Sequence, residues 1–322
     1  MRGRWMAALA VCALSLSATP AAAQDAYPSR PIRIIVGFGP ASAADIVARV
    51  LAQQLGASLK QQVVVETRPG AGSNIAAEFV ARAPKDGYTL LMATVANTVN
   101  AATMPHLSFD FQKDLAPVAL VTAVPILLAA TPGLGVHDVP ELIALAKTKP
   151  GEITFGSSGT ATAAHLAGEL FNTRAGVKLV HVPYPGSAQA LTDLIAGRIG
   201  LMFGAASTTL PYVKDGKLVA LAMAQSKRAA LAPEVPSMSD AGLPGFDTGV
   251  WFGLLAPAGT PPDVVAALSR EVNAALKTDA VIAPLRAQGM EPIGGSPAEF
   301  AAYIASETAK WAPVVEAAGL KK

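Results

Sequence analysis

The chain carries one order of elements twice, and that repeat limits the folds open to it. Ile32–Val36 is apolar and β-branched and reads as a buried strand. The turn at 37–41 follows, and Ser42-x-x-Asp45 starts a helix with Val47, Leu51, Leu55 and Leu59 along one face. A strand at 63–65, a turn at Arg68-Pro69-Gly70-Ala71, a helix from about 73 to 83 and a strand at 89–93 complete the unit. The second unit has strands at 153–155, 179–182 and 199–203. Its turns are Gly156–Thr160 and Pro185-Gly186-Ser187, with a helix at 163–174. A β-α-β-α-β order places parallel strands under flanking helices. Ala43-Ala44 matches Ala163-Ala164, Pro69-Gly70 matches Pro185-Gly186, and Leu91-Met92 matches Leu201-Met202. The offset drifts by about ten residues, which fits two similar α/β lobes rather than a solenoid of short, numerous repeats.

Two segments can join the lobes: 118–130, interrupted by Pro125, and the apolar return strand 251–257. Helices expected near 263–277, 281–288 and 297–318 then complete the first lobe. The expected division is 24–122 with 250–322 as lobe one and 123–249 as lobe two. Two crossings make a hinged clamshell suited to closing around a ligand.

Composition narrows the function. Hydrophobic residues make up 52% and charged residues 15%, against roughly 25% charged in average globular proteins. That is ample material for a core and excludes a disordered chain. No basic run is present, so a nucleic-acid partner is disfavoured. Arg2 and Arg4, the apolar stretch 6–17 and Ala21-Ala22-Ala23 form the pattern of a secretory signal peptide. The apolar stretch falls short of the ~20 residues that span a bilayer. Cleavage after Ala23 removes two of the 25 basic residues and balances the 23 acidic ones. It also removes Cys12, the one cysteine, so the exported chain relies on its core rather than on disulfides.

The two strand-turn-helix corners are the candidate site. A helix start leaves backbone N–H groups unpaired and carries partial positive charge, and small residues let an anion approach. The first corner is Gly37-Phe38-Gly39-Pro40-Ala41-Ser42, with Asp45 one turn on. The second is Gly156-Ser157-Ser158-Gly159-Thr160-Ala161-Thr162, with His165 in the helix that follows. Ligand contacts are also expected from Thr94, Asn97, Tyr184, Gly204 and Trp251. Gly37-x-Gly39-x-x-Ser42 is a poor dinucleotide fingerprint, because its third glycine is Ser42 and Pro40 removes a donor. The pattern G-x-S-x-G fails at Thr160, so there is no nucleophile elbow. His106, His137, His165 and His181 show no metal-ligand spacing. Arg68 could reach an anion or form a structural salt bridge, and Trp251 could line the cleft or pack in the core.

The chain resembles the extracytoplasmic solute-binding receptors of tripartite tricarboxylate transporters, the Bug family. The likeness lies in YPSRPIR at 27–33, ADIVAR at 44–49, VVETRPGAG at 64–72 and KDGYTLLM at 85–92. It continues in TFGSSG at 154–159, HLAGE at 165–169, VHVPY at 180–184 and WFGLLAPAGT at 251–260. It implies a two-lobed periplasmic binding fold of type II-like architecture whose corners hold carboxylate groups. It also implies delivery of the ligand to a membrane permease pair, with no cofactor and a monomeric receptor. Sensing through a membrane kinase is the alternative on the same fold, and a secreted hydrolase is a third reading. Three positions depart from the family pattern: Ala41-Ser42 for Gly-Gly, Thr160-Ala161-Thr162 for an Asn-Gly-Thr-like run, and Gly204 where relatives often place Asp. The loss of that acid suggests extra space and a carboxylate with an apolar or aromatic body held by Phe38 and Trp251, beside the dicarboxylates.

Overall fold

The computed structural model describes residues 27–40, 42–104, 107–157, 159–160, 162–184, 187–317 and 319 of the 322. The expected signal peptide with Cys12 lies outside the described residues, as do Ala41, His106, Ser158, Ala161 and Pro185-Gly186. The first unit is β1 (Ile32–Val36), α1 (Ala43–Leu59), β2 (Val63–Thr67), α2 (Asn74–Ala81), β3 (Thr89–Thr94) and α3 (Val95–Thr103). A long strand, β4 (Leu115–Ala130), and α4 (Val139–Thr148) lead on. The second unit follows as β5 (Thr154–Ser157), α5 (Ala163–Ala175), β6 (Val180–Pro183), α6 (Ser187–Ile195), β7 (Leu201–Ala205) and α7 (Ala206–Lys214). The chain then runs through β8 (Val219–Met223), β9 (Gly249–Pro257), α8 (Pro262–Ala275), α9 (Asp279–Ala287), β10 (Glu291–Pro292) and α10 (Pro297–Ala317).

In each unit the first strand pairs in parallel with the other two, β1 with β2 and β3, β5 with β6 and β7. The likeness extends one element beyond the sequence expectation. A helix starts directly after the third strand in both, α3 after Thr94 and α7 after Ala205.

β4 ties the lobes together. Its first part, from Leu115 to Pro125, pairs antiparallel with β9, and from Ile126 to Ala130 it lies between β7 and β8. Pro125 falls where the partner changes, a place where a missing N–H costs the ladder least. The stretch expected to be interrupted there is one strand of 16 residues. β9 stays in the first sheet along its whole length, starting at Gly249 opposite Pro125.

Three buried clusters follow from this layout. On one face of lobe one, Val47, Leu51 and Leu55 of α1 pack with Ile32, Ile34, Val36, Leu268 of α8 and Val281 of α9. On one face of lobe two, Leu191, Leu194 and Leu210 pack with Leu127 and Met202. The third cluster runs through both lobes, from Ile35 and Leu91 through Trp251, Phe300 and Trp311 to Phe155, Phe171 and Phe203. α10 has 21 residues, about 30 Å at a helical rise of ~1.5 Å, and it packs on α3, β4 and α5. Each large side chain buried this way contributes roughly 1.5–3 kcal/mol.

Candidate functional site

Strand direction turns the two corners toward each other. β3 is antiparallel to β9, and β9 to β4, so β1 and β3 point along β4. β4 runs from the first sheet into the second, where β7 and its parallel neighbour β5 oppose it. The carboxyl ends of β1 and β3 therefore point toward lobe two, and those of β5 and β7 point back toward lobe one. Ligands of such sheets sit beyond those ends. Register sets the gap. Thr94 pairs with Phe252, and Phe252 with Thr122, while Ala205 pairs with Ile126. Thr122 and Ile126 are four positions apart, roughly 13 Å at a strand rise of ~3.3 Å.

At the first corner, Ser42 caps α1 by accepting the Asp45 N–H at 3.3 Å. Asp45 is buried and ion-paired with Arg49, whose Nε lies 3.0 Å from Oδ2, so its carboxylate is already paired. Gly37 is required by packing, because a Cβ there would lie 2.0 Å from Ser73 Oγ. Above Gly39 a Cβ would meet nothing within 4 Å, which leaves its backbone open to a ligand. Phe38 is half-buried and Pro40 exposed. Beside them Thr94 and Asn97 close a capping box: Ala96 N–H donates to Thr94 Oγ1 at 3.1 Å, and Thr94 N–H to Asn97 Oδ1 at 3.0 Å.

At the second corner the hydroxyls shape the turn. Thr162 Oγ1 donates to Gly159 O at 2.7 Å and accepts the His165 N–H at 3.4 Å. Ser157 is fully buried. Its Oγ accepts from Gly159 N–H at 3.1 Å, lies 2.9 Å from Gly159 O and 2.6 Å from His181 Nε2. All three contacts form at once when His181 carries its proton on Nε2 and the serine donates to Gly159 O, an assignment made from the network. Gly159 holds φ +124, a conformation that favours glycine. Thr160 is exposed.

Behind this turn His181 stacks on His165, and Phe155 lies against both rings. His165 Nε2 is 3.6 Å from Glu169 Oε1. Burial, helped by the charge of His165 when protonated, pushes His181 down to about 4, so it is neutral at pH 7. Burial works to raise Glu169, but bonds from His165 and Asn172 outweigh it and hold the carboxyl below its ordinary range.

Four expected residues are placed elsewhere or already bonded. Trp251 is fully buried beneath α10, its edge against Phe300 and Tyr303 and its Nε1 donating to Glu307 at 3.3 Å. It packs the core and does not line the cleft. Gly204 adds no space, because a Cβ there would lie 2.6 Å from Thr209 Oγ1; the room is filled by threonine. Tyr184 donates to Asp193 at 2.8 Å, itself paired with Arg198. Arg68 pairs with Glu66 and lies over the Phe79 ring at 3.7 Å, the structural salt bridge rather than an anion site. Cavities of about 770 Å³ beside Arg270 and about 330 Å³ beside Arg30 lie away from both corners.

Sequence reasoning missed the contact of His181 with Ser157 and the close packing of Ser73 on Gly37. The pairing of Phe155 with His181 across β5 and β6 sets the first, and only the register of those strands could have pointed to it. Ser73 is signalled by Gly37, whose lack of a side chain leaves it room.

The profile of the tripartite tricarboxylate transporter family receptor matches residues 47–320. BugT of Bordetella pertussis is 38% identical over 299 residues, 92% of either chain. The structure of Rpa4515 from R. palustris, solved with adipate, superposes with a TM-score of 0.76 at 36% identity, covering 91% of this chain and 98% of that one. MatC from Rhodopseudomonas palustris, with bound malate, gives 0.73 at 31% identity, covering 90% and 100%. With the same two-lobed architecture and these relatives along nearly its whole length, the chain belongs to the tripartite tricarboxylate transporter family of receptors.

Proposed function

We propose that this receptor captures a small carboxylate between its two corners, outside the inner membrane, and presents it to the permease subunits of a tripartite transporter. The observation that carries the reading is the opposed direction of β1 and β5 along β4, which turns two helix starts toward one gap. Backbone N–H groups at those starts suit an anion. Rpa4515 with adipate and MatC with malate support a carboxylate as its chemical class. The leader at 1–23 fits export, and the receptor acts as a monomer without a cofactor.

The reading is one of binding without catalysis. Ser157 and His181 stand at a dyad distance, but the serine is fully buried and its proton is taken by Gly159 O. A hydrolase needs that oxygen exposed to substrate. A thermal-shift panel of carboxylates, amino acids and sugars tests the proposal. A carboxylate at a hundredfold excess over Kd stabilises by about 2.7 kcal/mol, a shift of several degrees. Shifts with sugars or amino acids and none with carboxylates would refute it.

A further inference from the structure

We infer that Ser157 and His181 are positioning residues for ligand capture: together they lock Gly159 at the second corner, and the imidazole couples capture of an anion there to uptake of a proton. This deepens the carboxylate-receptor reading above and rests on it. The lock is a closed network. Ser157 Oγ accepts the Gly159 N–H at 3.1 Å and donates to Gly159 O at 2.9 Å. Gly159 O takes a second hydroxyl, that of Thr162, at 2.7 Å. Both polar groups of Gly159 are thus engaged by the turn itself. His181 Nε2, 2.6 Å from Ser157 Oγ, fills the remaining lone pair of the hydroxyl and fixes where its proton points.

The network sits where the site needs a fixed shape. Gly159 follows the carboxyl end of β5, the end that faces lobe one, and its neighbour Thr160 is exposed. At φ +124 Gly159 has the backbone freedom of a glycine, so the turn holds one conformation only if its surroundings impose it. An apolar pair of the same shape would fill the space without the desolvation that a buried serine and its imidazole carry. What the polar pair adds is a single hydrogen-bonded arrangement. A turn held that way before the ligand arrives loses less entropy on binding.

The imidazole also gives the lock a charge. β5 and α5 are the elements packed most closely on β6. From β5 the ring meets Phe155 and Ser157, both uncharged. From α5 it meets His165, stacked on it, and the charge of Glu169. A proton added to His181 goes to Nδ1, because Nε2 already carries the one that faces Ser157. The lock therefore survives protonation, and the ring becomes a cation behind the turn. An anion held by the turn favours that cation. Burial holds His181 down to about 4, so the uptake appears on the acid side of neutrality. By reciprocity, acid strengthens capture through this ring.

The test is titration calorimetry with straight-chain dicarboxylates of four to eight carbons, at pH 7.5 and pH 5, in buffers of different ionisation heat. The variants are Ser157→Ala, His181→Phe and His181→Gln, the last keeping a donor near the place of Nε2. Ser157→Ala and His181→Phe are expected to weaken the best ligand about tenfold or more at pH 7.5, and His181→Gln less. At pH 5 wild type is expected to take up a few tenths of a proton more on binding than His181→Gln. The ligand's own carboxyl groups titrate alike with every variant, so that difference belongs to His181. A role in packing alone lowers the melting midpoint of the variants and leaves both affinity and proton uptake as in wild type; that result overturns the proposal and leaves the receptor reading standing. Should His181→Phe fail to fold, Ser157→Ala carries the affinity reading and His181→Gln the proton reading. Wild-type protein that binds no carboxylate overturns both.

Discussion

The ring of His181 lies flat against that of His165, with centroids 3.7 Å apart and planes 17° from parallel. The pair supports the second corner from behind through Ser157. Burial keeps His181 neutral at pH 7.

Stability should therefore fall with acid. His181 titrates near 4 in the folded protein against 6.5 ordinarily. As pH drops from 7 to 4 the unfolded chain takes up this proton and the folded one does not, so stability is lost across that window. Below 4 both states are protonated and this group costs nothing more. Allowing for a half-exposed ring, the loss is about 1–2 kcal/mol. Glu169, held below its ordinary range, adds to the loss as it protonates. The melting midpoint of His181→Gln should fall by less than that of wild type between pH 7 and 4. Identical pH profiles would remove His181 from this role.

An acid placed at Gly204 should destabilise this chain. Gly204→Asp drives a Cβ into Thr209 Oγ1, an overpacking expected to cost roughly 1–3 kcal/mol. Adding Thr209→Ala should recover part of that loss. Urea unfolding of the single and double variants reads the effect, and additive losses would show that the two sites do not touch.

Trp251 and its acceptor should matter for stability and not for affinity. Glu307 accepts from Trp251 Nε1 at 3.3 Å and Trp311 Nε1 at 3.1 Å, and it pairs with Lys310. Glu307→Ala strands these buried donors and should cost about 3–5 kcal/mol. Trp251→Phe should lower the melting midpoint yet leave carboxylate affinity within twofold of wild type. A large affinity loss in the folded variant would return Trp251 to the cleft.

Local pattern carried much of the architecture. Ile32–Val36 and the run at 199–203, two residues ahead of the observed Leu201–Ala205, announce strands by apolar character, and Ser42 and Thr162 announce helix starts by their caps. α3 is silent in sequence because Thr94 passes from strand to cap with no Gly or Pro between them. The site was legible only in outline. Its corners are local, but Ser157 meets His181 across 24 residues and Trp251 meets Glu307 across 56, and such contacts depend on strand register and helix docking. Gly204 misled for the same reason, since Thr209 fills its space from the next helix turn.

The claim that matters most is that one ligand is held by both lobes, because the carboxyl ends of β1 and β5 face each other over Thr122–Ile126 of β4. Small-angle X-ray scattering of the protein, free and saturated with the carboxylate identified by calorimetry, tests it most directly. Closure of the two lobes on the ligand predicts a smaller radius of gyration in the saturated sample. An unchanged radius at proven saturation would contradict it.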